Sequence, residues 1–261
     1  MWKGANNMSE QEMQVVAQKP KCMTDRVLHY CPGCTHGIIH RMIGEVIDEL
    51  NIQDRFVGVA PVGCSVFAYW YYNTDFQQAA HGRAPAVATG IKRSNKDLIV
   101  MSYQGDGDLA AIGTAEIIHA ANRGEKITVI FINNAIYGMT GGQMAPTSLC
   151  GMKTQTSPYG RDPEDVGHPI RVSELLSGLP GVKYLARTSS HTPGDLIKTK
   201  KAIKKAFQCQ VDGIGFSMVE ILSICPTNWG MDAPTSKTWL KDNMLEWFKP
   251  GEFISPDMEV K

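Results

Sequence analysis

Apolar and polar positions alternate along this chain at two distinct periods. Between positions 38 and 50, Ile38, Ile39, Met42, Ile43, Val46, Ile47 and Leu50 recur at helical spacing and form one apolar stripe. Short runs rich in β-branched and aromatic residues then follow at 55–62, 97–103, 126–132, 183–187 and 216–222, and each predicts a strand. The intervening segments 109–122 and 194–209 read as helices, the second with a lysine-rich solvated face. Short strands alternating with longer helices predict an α/β fold, a mostly parallel sheet with helices on both faces. Ligands of such sheets collect beyond the carboxyl ends of the strands. Three stretches rich in Gly, Pro, Thr and Asn begin there, at 61–85, 133–163 and 223–236. The first 24 residues are polar and read as an N-terminal extension, leaving 25–261 as the expected single domain.

Charge narrows the partners. The chain has 26 acidic and 26 basic residues and no long run of either sign, so nothing in it matches a nucleic-acid backbone or an anionic membrane. No apolar stretch reaches the roughly 20 residues needed to span a bilayer, and no apolar leader segment is visible, which predicts a cytoplasmic protein. Seven cysteines, an odd number, argue for thiolates engaged in ligand or redox chemistry over a disulfide framework.

The sequence Gly105-Asp106-Gly107-Asp108 follows one predicted strand and opens a helix, and after the 25 residues 108–132, Asn133-Asn134 ends the next strand. Glycines let a backbone approach a diphosphate, and a helix start presents unpaired N–H groups to an anion. A magnesium ion prefers oxygen ligands, shared between phosphates, a carboxylate and neutral oxygens. Either half alone would be an ordinary turn or strand end. At this spacing the pair resembles the signature of thiamine-diphosphate enzymes. The resemblance implies Asp106, the Asn134 side chain and the Ile136 carbonyl as magnesium ligands. No Gly-x-Gly-x-x-Gly and no Gly-Lys-Ser/Thr loop offers a nucleotide alternative.

Cys31-Pro32-Gly33-Cys34 is compatible with a redox dithiol, half a zinc site or half an iron–sulfur site. Cys64, in Gly63-Cys64-Ser65, and Cys225, in Cys225-Pro226-Thr227-Asn228, both fall in loops after predicted strands. These elements, with His81-Gly82-Arg83-Ala84-Pro85 and Asn133-Asn134-Ala135-Ile136-Tyr137-Gly138-Met139-Thr140-Gly141-Gly142-Gln143, resemble the β subunit of 2-oxoacid:ferredoxin oxidoreductases in order and over residues 27 to about 230. The resemblance implies a 4Fe–4S cluster on Cys31, Cys34, Cys64 and Cys225 beside the thiamine. It also points to Gly63, Ser65, His81, Arg83, Thr140 and Gln143 as contacts to cofactor or substrate. A structural zinc is the bland alternative, and Cys22, Cys150 and Cys209 have no assigned role.

The family's activity, so implied, is oxidative decarboxylation of a 2-oxoacid to an acyl-CoA and carbon dioxide, with electrons leaving through the cluster to ferredoxin. The glutamate that activates thiamine is expected on an α-type partner subunit, and γ and ferredoxin-like δ subunits are further candidate partners. Relatives acting on 2-oxoglutarate tend to carry a cation three residues after the third cysteine, where this chain has Phe67. Because a buried carboxylate without a partner is costly, branched-chain or aromatic 2-oxoacids such as 2-oxoisovalerate are favoured, with 2-oxoglutarate or pyruvate as the alternative. A non-redox thiamine lyase and a metal-stabilised assembly subunit are the competing expectations.

Overall fold

The computed structural model describes residues 17–256, so positions 1–16 of the expected extension and 257–261 lie outside the described residues. Helix α1 (His36–Glu49) buries Ile39, Met42, Ile43, Val46 and Ile47 of the expected stripe and leaves Ile38 exposed, with Leu50 just past its end; β1 (Phe56–Ala60) and β2 (Asp75–Gln78) follow. Next come α2 (Ala84–Ser94), β3 (Ile99–Gly105), α3 (Thr114–Asn122) and β4 (Thr128–Asn133). A two-residue hairpin, β5 (Ile136–Tyr137) with β6 (Gln143–Met144), precedes α4 (Pro163–Val166), α5 (Val172–Ser177) and β7 (Val182–Ser189). The chain continues through α6 (Pro193–Val211), β8 (Phe216–Leu222), α7 (Pro226–Trp229), α8 (Ala233–Trp239), α9 (Leu245–Trp247) and β9 (Gly251–Ile254).

Seven strands form one sheet in the order β2-β1-β3-β4-β8-β7-β9, parallel except for the antiparallel edge strand β9. The central strands alternate side chains between two buried faces. Ile99, Met101, Tyr103, Ile130, Ile132, Val219 and Ile221 pack under α1 and α6, while Val100, Val129, Phe131, Phe216 and Met218 pack under α2, α3 and α5. Burial on both sides explains why these strands read as near-continuous apolar runs. A third apolar cluster, including Ile136, Leu222, Ile224, Leu240, Met244 and Phe248, closes the carboxyl end of the sheet.

All five expected strands are present, and the structure adds two edge strands. Asp75-Phe76-Gln77-Gln78 is mostly exposed and lacks the apolar run of a buried strand, and β9 has only four residues. Helix α2 also emerges at the end of the first irregular stretch, with Pro at its start, where φ is already helical and no amide partner is needed. Within the expected polar lead-in, Cys22 is fully buried against α1, and Met23 bridges to Tyr72. Burial pushes the Cys22 thiol up to about 12 and that of Cys209 up to about 11, so both behave as small apolar groups.

A buried polar knot ties the sheet to the loop after β4. Glu220, with no exposed side chain, accepts hydrogen bonds from Asn133 Nδ2 at 2.8 Å, Ser173 Oγ at 2.5 Å and Arg187 Nε at 2.8 Å. The other side of the Arg187 guanidinium pairs with Glu174 and donates to the Lys249 carbonyl. Deleting one partner of a buried ion pair strands the other charge. Arg187→Met is therefore expected to cost about 3–5 kcal/mol, read as a lower denaturant midpoint at unchanged m-value. A midpoint equal to that of the parent would contradict this role for the pair.

Candidate active site

The carboxyl ends of β1, β3, β4 and β8 lie side by side, and the four loops leaving them build two adjoining cavities. The first, a cleft of about 240 Å³, is lined by His36, Val62–Ser65, His81, Gly105–Asp108, Ile132, Asn134 and Ile136–Thr140. The second, of about 190 Å³, is lined by all four candidate cysteines, Cys31, Cys34, Cys64 and Cys225, with His29, Tyr30 and Asn228 among its other walls. His36, Cys64, Asn134, Gly138 and Met139 line both and so form the wall between them.

In the first cavity, Gly105 ends β3, and Gly107 opens a wide helical turn, 107–112, of the π type that is common at functional sites. Gly107 must be glycine because a Cβ there would lie 2.5 Å from the Tyr137 ring. Asp106 is buried. It accepts from the Gly107 amide at 2.9 Å and from Thr147 Oγ1 at 2.7 Å, and burial pushes its carboxyl up to about 6 against the opposing pull of those bonds. Across the cleft, Ala135 bends the chain between Asn134 and Ile136 with a left-handed φ of 59°. The Ile136 amide donates to Asn134 Oδ1 at 3.3 Å, and the Ala135 amide to Asn133 Oδ1 at 3.2 Å.

Asp108 lines the same cleft, but its oxygens are engaged by protein. They accept from the amides of Val62 and Gly82 at 3.2 and 2.9 Å, from His81 Nδ1 at 2.8 Å and from Gln104 Nε2 at 2.6 Å. Asp108 thereby fastens the 61–65 and 81–83 loops to the start of the turn, and His81 reaches the cleft as its partner. Gly63, Ser65 and Thr140 line the cleft; Arg83, Gln143 and Phe67 do not. Arg83 pairs with Glu116, Gln143 is bonded to Thr140, and Phe67 stacks on Trp70 with ring centroids 4.3 Å apart.

In the second cavity, the Cys34 amide closes a turn on the Cys31 carbonyl, with Gly33 in a left-handed conformation. A Cβ on Gly138 would stand 3.1 Å from Cys64 Sγ and 3.5 Å from Cys225 Sγ, so a side chain there would crowd both sulfurs. Asn228 Nδ2 donates to the Gly138 carbonyl at 2.9 Å and to Cys225 Sγ at 3.3 Å, and His29 Nε2 lies 2.8 Å from the Cys64 carbonyl. Burial raises the thiols of Cys34, to about 11, of Cys64, to about 12, and of Cys225. Among the described residues, no three or more His, Cys, Asp or Glu side chains converge on a single-ion site.

Nothing in the sequence singles out a histidine on a helix. His119 is exposed, whereas His36 is buried in the wall between the cavities, bonded through Nδ1 to the Tyr103 hydroxyl at 2.6 Å. Burial drives its pKa down to about 3, so it stands there uncharged. Thr147 was also missed, since a threonine in a Gly-rich stretch carries no distinguishing signal, and Asn133 was seen only as the first half of the asparagine pair. Asn228 was within reach, because it closes the Cys-Pro-Thr-Asn motif. Cys150 is exposed, 3.8 Å from His168 Nδ1, and lines neither cavity.

Comparison with known proteins shows the family. Residues 61–221 match the family described as thiamine pyrophosphate enzyme, C-terminal TPP binding domain. The chain is 52% identical over 89% of its length to the ketoisovalerate oxidoreductase subunit VorA of Methanothermobacter thermautotrophicus, and spans about half, 49%, of that relative. It is 39% identical to the 2-oxoglutarate synthase subunit KorB of Methanocaldococcus jannaschii over 91% of this chain and 86% of that one. A solved 2-oxoglutarate:ferredoxin oxidoreductase from Magnetococcus marinus, with 2-oxoglutarate, coenzyme A and succinyl-CoA bound, superposes with a TM-score of 0.76 at 26% identity, covering 95% of this chain and 88% of that one. The chain belongs to the thiamine-diphosphate-binding β-subunit family of the 2-oxoacid:ferredoxin oxidoreductases.

Proposed function

We propose that this chain is the thiamine- and cluster-binding part of an enzyme that oxidises a branched-chain 2-oxoacid to acyl-CoA and carbon dioxide and passes the electrons to ferredoxin. The observation that carries this reading is the shared wall: a Gly-Asp-Gly/Asn-Asn cleft and a four-cysteine cavity have His36, Cys64, Asn134, Gly138 and Met139 in common.

The donor sets fit the groups they would hold. Asp106, the Asn134 side chain and the Ile136 carbonyl are oxygen donors around one cleft, the set a magnesium ion bridging a diphosphate prefers. A cation beside Asp106 would offset the burial that raises its carboxyl and keep it ionised. The four cysteines surround a cavity of about 190 Å³, which suits a four-iron cluster; a single zinc ion needs its sulfurs about 2.3 Å from one point. Raised thiols have to shed protons on loading, so cluster assembly and ionisation are coupled. Thiamine diphosphate, when bound, supplies the carbon nucleophile for the 2-oxo carbon, and the cluster an acceptor for single electrons.

The chain's own residues then set distance and polarity. Gly138 keeps the wall between the cavities thin, and Asn228 donates to a cluster-facing sulfur. The neutral His36 adds no charge between the two sites. Among the described residues, neither Lys nor Arg lines the cleft, so a distal carboxylate would find no Lys or Arg partner within it. Phe67 lies off the cleft and does not carry the substrate argument. That argument rests on the absence of Lys and Arg from the cleft lining and on the higher identity to ketoisovalerate subunits, 52–53% against 39% or less for the 2-oxoglutarate subunits. The glutamate that activates thiamine, the coenzyme A site and the outward electron carrier are assigned to partners, an α-type subunit first and γ and ferredoxin-like δ subunits after it. No helix among the described residues is long and apolar enough to cross a membrane.

Two results follow for the anaerobically purified complex. It should be brown, and Cys225→Ala should lose about four iron atoms per copy of this chain with the corresponding visible absorption; unchanged colour and iron would refute the cysteine assignment. In an assay with coenzyme A and a low-potential dye, kcat/KM for 2-oxoisovalerate should exceed that for 2-oxoglutarate by at least about tenfold. Equal or reversed preference would remove the branched-chain reading.

A further inference from the structure

Arg161 is a buried cation, 5% exposed, with no carboxylate partner among the described residues. Its guanidinium instead donates to six backbone carbonyls. Nη1 reaches those of Ala145, Pro146 and Ser148 at 3.1, 3.0 and 2.8 Å, Nε that of Gly167 at 2.8 Å, and Nη2 those of Val166 and His168 at 3.4 and 3.0 Å. A planar fork with five N–H donors is the one side chain able to gather so many carbonyls at once. It fixes the carbonyls on both sides of Thr147.

Thr147 and Ser148 are fully buried and point to opposite halves of the Asp106/Asn134 motif. Thr147 Oγ1 donates to Asp106 Oδ2 at 2.7 Å. Ser148 Oγ donates to the Ala135 carbonyl at 2.5 Å and accepts from the Ala145 amide at 2.9 Å. Ala135 holds a left-handed φ that is strained for a non-glycine residue and persists only where the surroundings enforce it. Two adjacent residues on one loop thus grip both the aspartate that ends one strand and the strained bend that follows the next. Neither belongs to the Gly-Asp-Gly or Asn-Asn signature.

We propose that Thr147 and Ser148, locked by Arg161, are positioning residues for the magnesium–diphosphate site: Thr147 on Oδ2, opposite the Gly107 amide on Oδ1, fixes the orientation of the Asp106 carboxylate, and Ser148 holds the bend that presents Asn134 and the Ile136 carbonyl. This rests on the reading of Asp106, Asn134 and Ile136 as the magnesium ligands. Hydrogen-bond partners of metal ligands typically change metal affinity by roughly 10- to 100-fold when removed.

The test is a magnesium titration of the complex at saturating thiamine diphosphate, followed by the circular dichroism of the bound cofactor. Parallel melting curves at saturating magnesium check the fold. Thr147→Val, close in shape but without the hydroxyl, should raise the apparent magnesium dissociation constant by roughly 10- to 100-fold, and Thr147→Ser should restore it with the melting temperature unchanged. Arg161→Lys, which keeps the charge but loses the fork, should weaken magnesium in the same direction. If Thr147→Val binds magnesium like the parent while Asp106→Ala abolishes binding, the positioning role is wrong and the ligand reading survives. If Asp106→Ala also binds like the parent, the ligand reading falls and the positioning role with it.

Discussion

Everything at this site depends on one consequence of parallel pairing: strands that run the same way release their loops at the same edge. The parallel register pairs Val59 with Ser102, Gly105 with Ile132 and Asn133 with Leu222, so β1, β3, β4 and β8 all end at the same edge of the sheet, β1 a few residues earlier than the others. The chain therefore leaves the sheet four times at that edge, neighbouring exits being roughly one strand spacing, about 4.8 Å, apart across the sheet. Cys64, Asp106, Asn134 and Cys225 sit one to four residues past those ends. Their meeting needs no long-range coincidence, since any sequence that builds these four strands in this order brings those positions together.

What the register cannot do is hold irregular loops still, and here buried charge takes over. Asp108 gathers two loop amides and an imidazole, Glu220 anchors Asn133, and Arg161 collects six carbonyls. Unpaired buried charge is costly, so each of these groups is stable only with its full set of partners in place. That dependence makes the loops stiff without regular secondary structure. It also explains why so few charged residues line the cleft itself: most of the buried ones nearby are already engaged in holding its walls.

The sequence displayed the sheet clearly because its central strands are buried on both faces and leave continuous apolar runs. The edge strands escaped for the opposite reason, with Asp75-Phe76-Gln77-Gln78 half in water and β9 short and antiparallel. Glycine and cysteine spacing made Asp106, Asn134 and the four sulfurs visible, since few other physical reasons produce that combination. Residues that act through others were invisible. Thr147, Ser148 and Arg161 are ordinary residue types in a Gly- and Pro-rich stretch, and only coordinates reveal that they converge. Arg83 and Phe67 illustrate the converse, being prominent in the sequence yet turned toward Glu116 and Trp70.

The central claim is that a thiamine cleft and an iron–sulfur cavity share a wall built by this one chain. Anomalous diffraction at the iron edge, from anaerobic crystals of the complex containing thiamine diphosphate and magnesium, addresses it most directly. The account predicts an iron peak enclosed by Cys31, Cys34, Cys64 and Cys225, with cofactor density on the other side of His36 and Gly138. A single peak at the zinc edge in that cavity, or cofactor density away from Asp106 and Asn134, would contradict it.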